Sequence, residues 1–138
     1  IMVIQSIVFP DEICATQEIY YRFKGGCQQH KKGIYLEEGT IFSTNCYMNL
    51  FDARTWLRYT GIKIWRLRLL LSGTGSIKVL SQGQDKLEDN SLVLLEKSFT
   101  YSKCTELLLT IQGEELQLLY FEIEAKTEVY LYEAQYTY

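Results

Sequence analysis

Short runs in which apolar and polar residues alternate recur along the chain and predict β-strands. Glycines and polar loops separate these runs at the spacing typical of a sandwich or barrel. The predicted strands span residues 2–9, 19–23, 33–37, 40–46, 62–72, 76–80, 92–95, 99–101, 107–111, 116–125 and 128–138. This succession of short strands predicts an all-β fold, an antiparallel β-sandwich that is jelly-roll-like.

Two tight turns and one helical turn are expected between the predicted strands. A turn at residues 38–39 joins the third and fourth strands. The Gly-Thr-Gly sequence at residues 73–75 is expected to reverse the chain as a hairpin turn, because glycine adopts positive φ at little cost. Residues 52–59 carry the single helical turn, with an aspartate as N-cap and two aromatic residues on one face.

The last predicted strand is rich in tyrosine. If residues 128–138 are extended, Tyr130, Tyr132, Tyr136 and Tyr138 all face one way. Such a row is either a platform for a sugar or a partner domain, or an ordinary edge strand whose hydroxyls meet water. We favour an interface, because a chain that stops on this strand without a polar tail resembles a domain excised from a longer protein. Tyr130, Tyr132 and Tyr136 are therefore predicted interdomain residues.

Size and composition limit the class of protein. A chain of 138 residues that is 47% hydrophobic is expected to form one domain over residues 1–138. Its net charge of −3 gives no attraction for a phosphate backbone, which excludes nucleic acid as a partner. We find neither a signal-peptide pattern nor an apolar run of the ~20 residues that cross a bilayer. The four cysteines lack CxxC spacing, so we expect free, mostly buried thiols and a cytoplasmic location.

The residues that most enzymes need are absent from the sequence pattern. His30 is the only histidine and lies in a polar run, so it would have to serve every histidine-based mechanism. The paired carboxylates at residues 11–12, 37–38 and 114–115 are neighbours in strands or turns and point apart. Residues 73–75 lack the lysine and hydroxyl of a phosphate-binding loop. We therefore expect no catalytic residue, no metal site and no cofactor.

Residues 46–51 and 56–60 form the most unusual segment, a cluster of aromatic side chains around one asparagine and one arginine. Aromatic faces suit the apolar C–H side of a sugar ring, and the polar side chains suit its hydroxyls. The alternative is that the aromatic residues cap the sandwich core while the asparagine bonds the backbone. Both interpretations remain open at this point. The candidate carbohydrate-binding or interface residues are Tyr47, Asn49, Asp52, Trp56, Arg58 and Tyr59.

The same segment resembles a family motif. Residues 47–51 and 56–60 match the pattern Tyr-Phe-Asn-x-Phe-x-x-x-x-Trp-x-x-Tyr/Trp-Thr, except that Met48 replaces an aromatic residue. This motif marks the N-terminal β-sandwich of bacterial family 2 glycosyltransferases related to the polymerising galactofuranosyltransferases. An alternating strand, a Gly-Thr-Gly sequence and a second strand follow as in that domain, and the similarity extends to both ends of the chain.

The resemblance implies an accessory module and not a complete enzyme. In that family, the sandwich precedes a catalytic GT-A domain that uses a UDP-sugar and a divalent metal. The metal-binding Asp-x-Asp motif of that domain has no counterpart here. The parent protein would extend a cell-wall or surface polysaccharide at the cytoplasmic face of the membrane. This module would contact the glycan acceptor, brace the GT-A domain or support a homo-oligomer.

Two other functions remain open from the sequence. One is a free-standing carbohydrate-binding module or lectin, whose partner would be a glycan alone. The other is a purely structural interaction domain. The chain that follows residue 138 in the parent protein would separate an accessory domain from a free-standing module.

Overall fold

The computed structural model describes residues 4–6, 22–24, 27–30, 33–44, 64–82, 91–112 and 118–137. All regular secondary structure in these residues is β-strand, and every pairing is antiparallel, so the predicted all-β antiparallel sandwich is confirmed. The helical turn predicted for residues 52–59 lies outside the described residues. The strands are β1 (Ile4–Ser6), β2 (Arg22–Lys24), β3 (Cys27–His30), β4 (Gly33–Leu36), β5 (Ile41–Ser43), β6 (Ile64–Gln82), β7 (Ser91–Gln112), β8 (Leu118–Ala125) and β9 (Val129–Thr137).

Strand β6 organises the fold because it belongs to both halves of one curled sheet. It pairs with β7 along one edge. Along its other edge it pairs with β9 from Arg66 to Ser72, and then with β8 from Gly75 to Gln82. We call the half that contains β3, β4 and β9 the β9 layer, and the half that contains β2, β5 and β8 the β8 layer. Strand β1 pairs with β9 and extends the β9 layer.

The hydrophobic core lies between these two layers. Ring contacts join the layers, because Phe121 of β8 meets Tyr136 of β9 with ring centroids 6.4 Å apart. Tyr136 also meets Trp65 edge-on at 6.4 Å, and Phe121 meets Phe42 at 6.2 Å. Alternate positions of β6, β7 and β8 supply most other core side chains, as expected for strands with one buried face. The remaining core residues are Ile34, Leu36, Leu67, Leu69, Leu71, Ile77, Val79, Phe99, Leu107, Leu109, Ile111, Ile123, Ala125, Val129, Leu131 and Ala134.

The predicted hairpin at residues 73–75 is wrong, because these residues lie inside β6 and join two predicted strands into one. The glycines serve a close approach of backbones instead. Gly73 has a φ of 105°, and a Cβ there would collide with the Glu128 carbonyl oxygen. A Cβ on Gly75 would collide with the Glu124 carbonyl oxygen. Small residues are therefore needed where the β8–β9 connection lies directly alongside β6.

Two further strand predictions are corrected by the structure. The separate strands predicted at 92–95, 99–101 and 107–111 form the single strand β7. Residues 96–98 and 102–104 between those runs are all exposed, so neither face of the strand is covered there, and the hydrophobic pattern is interrupted although the strand continues. Strand β3 was not predicted, because its sequence Cys-Gln-Gln-His lacks an apolar alternation. The turn at residues 38–39 is confirmed.

The β8–β9 connection is fixed to β6 by hydrogen bonds. The backbone N–H groups of Lys126 and Thr127 donate to the Thr74 carbonyl oxygen at 2.9 and 3.0 Å. In return, the Thr74 N–H donates to Thr127 Oγ1 at 3.0 Å. The turn before β5 fixes the end of β8, since the Gly39 N–H donates to the Ala125 carbonyl oxygen at 2.7 Å. The direction in which the chain enters β9 is thus determined by β6 and by the turn before β5.

A β-bulge in β9 changes which side chains face the core. Leu70 lies opposite Glu133, but Leu71 lies opposite Leu131, so Tyr132 is an extra residue on β9. Before the bulge the buried residues have odd numbers, such as Leu131, and after it they have even numbers, such as Tyr136. The expectation that Tyr130, Tyr132 and Tyr136 share one face is therefore wrong. Tyr130 and Tyr132 are partly exposed, whereas Tyr136 is 2% exposed in the core.

We expect Gly73→Ala to destabilise the protein more than Gly39→Ala. Both glycines have positive φ, 105° and 87°, so both substitutions carry the backbone strain of about 1–2 kcal/mol. Only at Gly73 does the new Cβ also meet a backbone carbonyl, whereas the space beside Gly39 is open. The additional loss at Gly73 should be about 1–3 kcal/mol. Urea denaturation of both variants measures it, and equal losses would contradict the close approach.

Candidate functional site

The residues predicted to form a site divide into two groups. Tyr47, Asn49, Asp52, Trp56, Arg58 and Tyr59 all lie outside the described residues, and their role stays a prediction. Of the tyrosines predicted on the last strand, Tyr130 and Tyr132 lie on the outer surface of the β9 layer. Tyr136 is a core residue and is not part of that surface.

Three tyrosines lie together on the outer surface of the β9 layer, and we call Tyr35, Tyr130 and Tyr132 the tyrosine face. Tyr35 of β4 lies directly opposite Tyr130 of β9 in the strand register. The neighbours of Tyr35 in β4 are buried, so its own side chain faces outward. The rings of Tyr130 and Tyr132 have centroids 4.1 Å apart and an interplanar angle of 32°. The bulge at Tyr132 explains how two tyrosines of one strand come so close.

Gly33 makes room for this arrangement. A Cβ at Gly33 would collide with the Leu131 carbonyl oxygen and would lie 2.8 Å from Cε1 of Tyr130. The absence of a side chain lets the Tyr130 ring lie against the backbone of β4. The position of the ring is therefore determined by packing as well as by the strand register.

Polar side chains surround the tyrosine face on the same surface. The Tyr132 hydroxyl and Ser72 Oγ are 3.4 Å apart. Gln135 Nε2 donates to Glu133 Oε1 at 3.1 Å. On the neighbouring strands, Arg68 Nε donates to a Glu106 carboxylate oxygen at 2.6 Å, forming a half-exposed ion pair. Aromatic rings, hydroxyls, an amide and charged groups thus occur within one sheet surface.

Two of these tyrosines, Tyr35 and Tyr130, have raised pKa values. A hydrogen bond to the Glu128 carboxylate, aided by burial and by the charges of Glu128 and Glu37, raises the pKa of Tyr35 to about 12. Burial is the main reason that the pKa of Tyr130 is raised, and the adjacent Tyr132 adds to it, while a backbone hydrogen bond from Gly33 opposes it. Both side chains are therefore neutral hydroxyl groups at physiological pH.

The chemistry available on this surface is that of binding. Partly exposed rings can stack on an apolar ligand face, and the hydroxyl, amide and carboxylate groups beside them can exchange hydrogen bonds with a hydroxylated ligand. In the described part of the chain, no group of three or more His, Cys, Asp or Glu side chains could hold a metal ion. His30 belongs to β3, and its side chain is not described. Cys104 is a free thiol as predicted, but it is exposed instead of buried.

Several members of this surface were not predicted from the sequence. Tyr35 could have been placed on an outer face, because the sequence Gly-Ile-Tyr-Leu alternates. Its position beside Tyr130 depends on the pairing of β4 with β9, which are almost a hundred residues apart, and no local pattern predicts that pairing. The same holds for Arg68 and Glu106, which meet through the long β6–β7 pairing.

The family model of the galactofuranosyltransferase 2 N-terminal domain matches residues 15–138. The chain belongs to this family. The resemblance inferred from residues 47–60 is thereby confirmed. Comparison with curated proteins gives no match. In the described residues there is no helix with the length and apolar character that spanning a membrane requires.

Solved structures with a similar fold are carbohydrate-binding modules. A variant of the second family 29 module, solved with cellulohexaose, has a TM-score of 0.58 at 9% identity, with 99% of this chain and 91% of that chain covered. The C-terminal family 6 module of the laminarinase LamC from Zobellia galactanivorans has a TM-score of 0.54 at 11% identity, with both chains fully covered. At these identities the similarity establishes the β-sandwich fold alone.

A third similar structure is longer than this chain. It contains the CBM22-1 and GH10 modules of the xylanase Xyn10B from Clostridium thermocellum, solved with xylohexaose. The TM-score is 0.51 at 10% identity, and 99% of this chain is covered. This chain spans 24% of the length of that protein.

We expect Glu128→Gln to lower the pKa of Tyr35 from about 12 toward its ordinary value of 10.0, because the main cause of the shift is removed. Glu37→Gln is the matched control and should lower it less, since Glu37 acts only through its charge. NMR of ring-labelled tyrosine, assigned with Tyr35→Phe, measures both changes. An unchanged Tyr35 pKa in Glu128→Gln would contradict the hydrogen bond.

The same shift makes stability depend on pH in the alkaline range. The pKa of Tyr35 is higher in the folded state than its ordinary value, so its contribution to stability is complete below about pH 10. That contribution is lost as the pH rises from about 10 to about 12. Denaturant titrations across this range should show a shallower fall in stability for Tyr35→Phe than for the unmodified chain.

Proposed function

We propose that this chain is a non-catalytic N-terminal domain of a galactofuranosyltransferase and that its tyrosine face contacts the glycan acceptor. The observation that carries the proposal is the pair of partly exposed rings, Tyr130 and Tyr132, held 4.1 Å apart beside hydrogen-bonding groups. Family membership supports the glycosyltransferase context. The parent protein would then extend a cell-wall or surface polysaccharide at the cytoplasmic face of the membrane.

The physical basis is the two-sided character of a sugar ring. Its C–H groups form an apolar patch that loses contact with water on an aromatic ring, while its hydroxyls require hydrogen-bond partners at the edge. The tyrosine face offers both, since Ser72, Glu133 and Gln135 lie beside the rings. A similar fold solved with cellulohexaose is a carbohydrate-binding module, which supports the proposal by analogy.

The catalytic functions belong to another part of the parent protein in this proposal. A following GT-A domain would bind the UDP-sugar and the divalent metal and perform the transfer. This domain would retain the growing acceptor close to that active site. Repeated transfer to one polymer then benefits from the raised local concentration of the acceptor.

A second candidate function is packing against the GT-A domain. It is favoured by two exposed apolar side chains, Leu108 and Ile64, which are 51% and 46% exposed on β7 and β6. Leu108 lies opposite Arg68 on the same surface as the tyrosine face. Tyrosine and exposed aliphatic residues together are also typical of protein interfaces. This alternative would make Tyr130 and Tyr132 interdomain residues.

Titration of the chain with a galactofuranose oligosaccharide by calorimetry tests the first proposal. Replacing both Tyr130 and Tyr132 with alanine should weaken binding by at least about tenfold, because two stacking surfaces are lost. Val93→Ala is the control for loss of exposed apolar surface, since Val93 is 46% exposed on the half of β7 that lies in the β8 layer. Its affinity should remain unchanged.

Other outcomes identify the alternatives. If Trp56→Ala abolishes binding in a folded chain while the tyrosine variants bind normally, the glycan site is the predicted cluster at residues 47–59 and the tyrosine face is excluded. If no oligosaccharide binds, and the tyrosine variants instead weaken association with the separately expressed GT-A domain, the interface function replaces glycan binding.

A further inference from the structure

We propose that Glu128, oriented by Tyr35, recognises sugar hydroxyls at one end of the tyrosine face and restricts that end to uncharged saccharides. This inference rests on the proposed function and adds to it a ligand class and a residue that determines specificity. It applies to the acceptor and predicts that acidic sugars and nucleotide-linked sugars are rejected there.

The backbone of Glu128 is held in place from several directions. The preceding residues Lys126 and Thr127 both donate to the Thr74 carbonyl oxygen. The Glu128 carbonyl oxygen lies against Gly73, where no Cβ would fit. The following residue, Val129, is fully buried and begins β9 opposite Leu36. A residue held in this way needs little ordering when a ligand binds.

The side chain of Glu128 is on the correct surface for a ligand of the tyrosine face. Val129 and Leu131 point into the core, so Glu128, Tyr130 and Tyr132 face outward on the same side of the chain. Glu128 is exposed, and its carboxylate accepts a hydrogen bond from the Tyr35 hydroxyl. Tyr35 in turn lies opposite Tyr130. The carboxylate therefore lies on the same surface as the two rings, beside the Tyr35 hydroxyl.

A carboxylate that accepts a hydrogen bond from one donor can still accept hydrogen bonds from other donors. Its two oxygens can accept about four hydrogen bonds, of which Tyr35 supplies one. Neighbouring hydroxyls of a neutral sugar are donors of the kind that it lacks. A uronate or phosphate group instead offers only acceptors and a like charge, and Glu37 adds negative charge at the same end.

Calorimetric titration of Glu128→Gln with two oligosaccharides tests this role. One ligand is a neutral galactofuranose oligosaccharide, and the other is an oligosaccharide of equal length that contains uronate residues. The variant should bind the neutral ligand about tenfold more weakly, because a charge-assisted hydrogen bond becomes a neutral one. It should bind the uronate ligand more tightly than the unmodified chain does, since the repulsion is gone.

Two controls separate recognition from general effects. Glu37→Gln removes the same charge without the hydrogen bond to Tyr35, so it should leave the affinity for the neutral ligand unchanged. Tyr35→Phe keeps the Glu128 charge but removes the orienting hydroxyl, so it should weaken neutral binding while preserving rejection of the uronate ligand. A purely structural role for Glu128 would change both affinities by the same factor.

The possible results distinguish this inference from the proposed function. If the unmodified chain binds the neutral ligand and Glu128→Gln binds it equally well, the role of Glu128 is excluded while glycan binding stands. If the unmodified chain binds both ligands equally, the specificity is excluded. If the Tyr130 and Tyr132 variants leave neutral binding intact, the proposed function of the tyrosine face itself fails.

Discussion

The whole structure depends on one close backbone approach, where the β8–β9 connection runs alongside β6 at Gly73. Before this point β6 pairs with β9, and after it β6 pairs with β8 along the same edge. Strand β6 therefore belongs first to the β9 layer and then to the β8 layer. The connection lies so close to β6 that a Cβ on Gly73 would collide with the Glu128 carbonyl oxygen. Hydrogen bonds between Thr74 and the connection replace the ladder bonds that neither β8 nor β9 supplies there. The sandwich therefore depends on a glycine and a threonine at this point as well as on its core side chains.

The candidate site follows from the same close approach. The connection ends at Glu128, and the direction in which it enters β9 determines that Tyr130 faces outward beside Tyr35. The bulge at Tyr132 then keeps a second ring outward, and it also turns Tyr136 inward, where it joins Trp65 in the core. Because of this one extra residue in β9, Tyr130 and Tyr132 lie on the surface whereas Tyr136 lies in the core.

Prediction from the sequence succeeded where a property depends on neighbouring residues. Alternation identified an all-β fold and most strand positions, and the motif at residues 47–60 identified the family. It failed at Gly73, because a glycine that ends a strand and a glycine that allows a neighbouring backbone to approach closely are identical in sequence. It failed for Tyr136 because a bulge depends on the pairing partner, and β6 is not recognisable as that partner from β9 alone. Tyr35 and Glu128 escaped notice for the same reason, since strand pairing brings them together.

The proposed binding surface does not depend on loops for its specificity. In the described part of the β9 layer, the aromatic and polar groups belong to strands, whose backbone positions are fixed by hydrogen bonds on both edges of β9. Side chains on such a sheet lose less conformational freedom on binding than side chains on a mobile loop. A polymer presents the same sugar many times, so a fixed surface that matches one repeating shape suffices for it. Stacking and hydroxyl recognition thus suit an acceptor that must remain bound while its end is extended elsewhere.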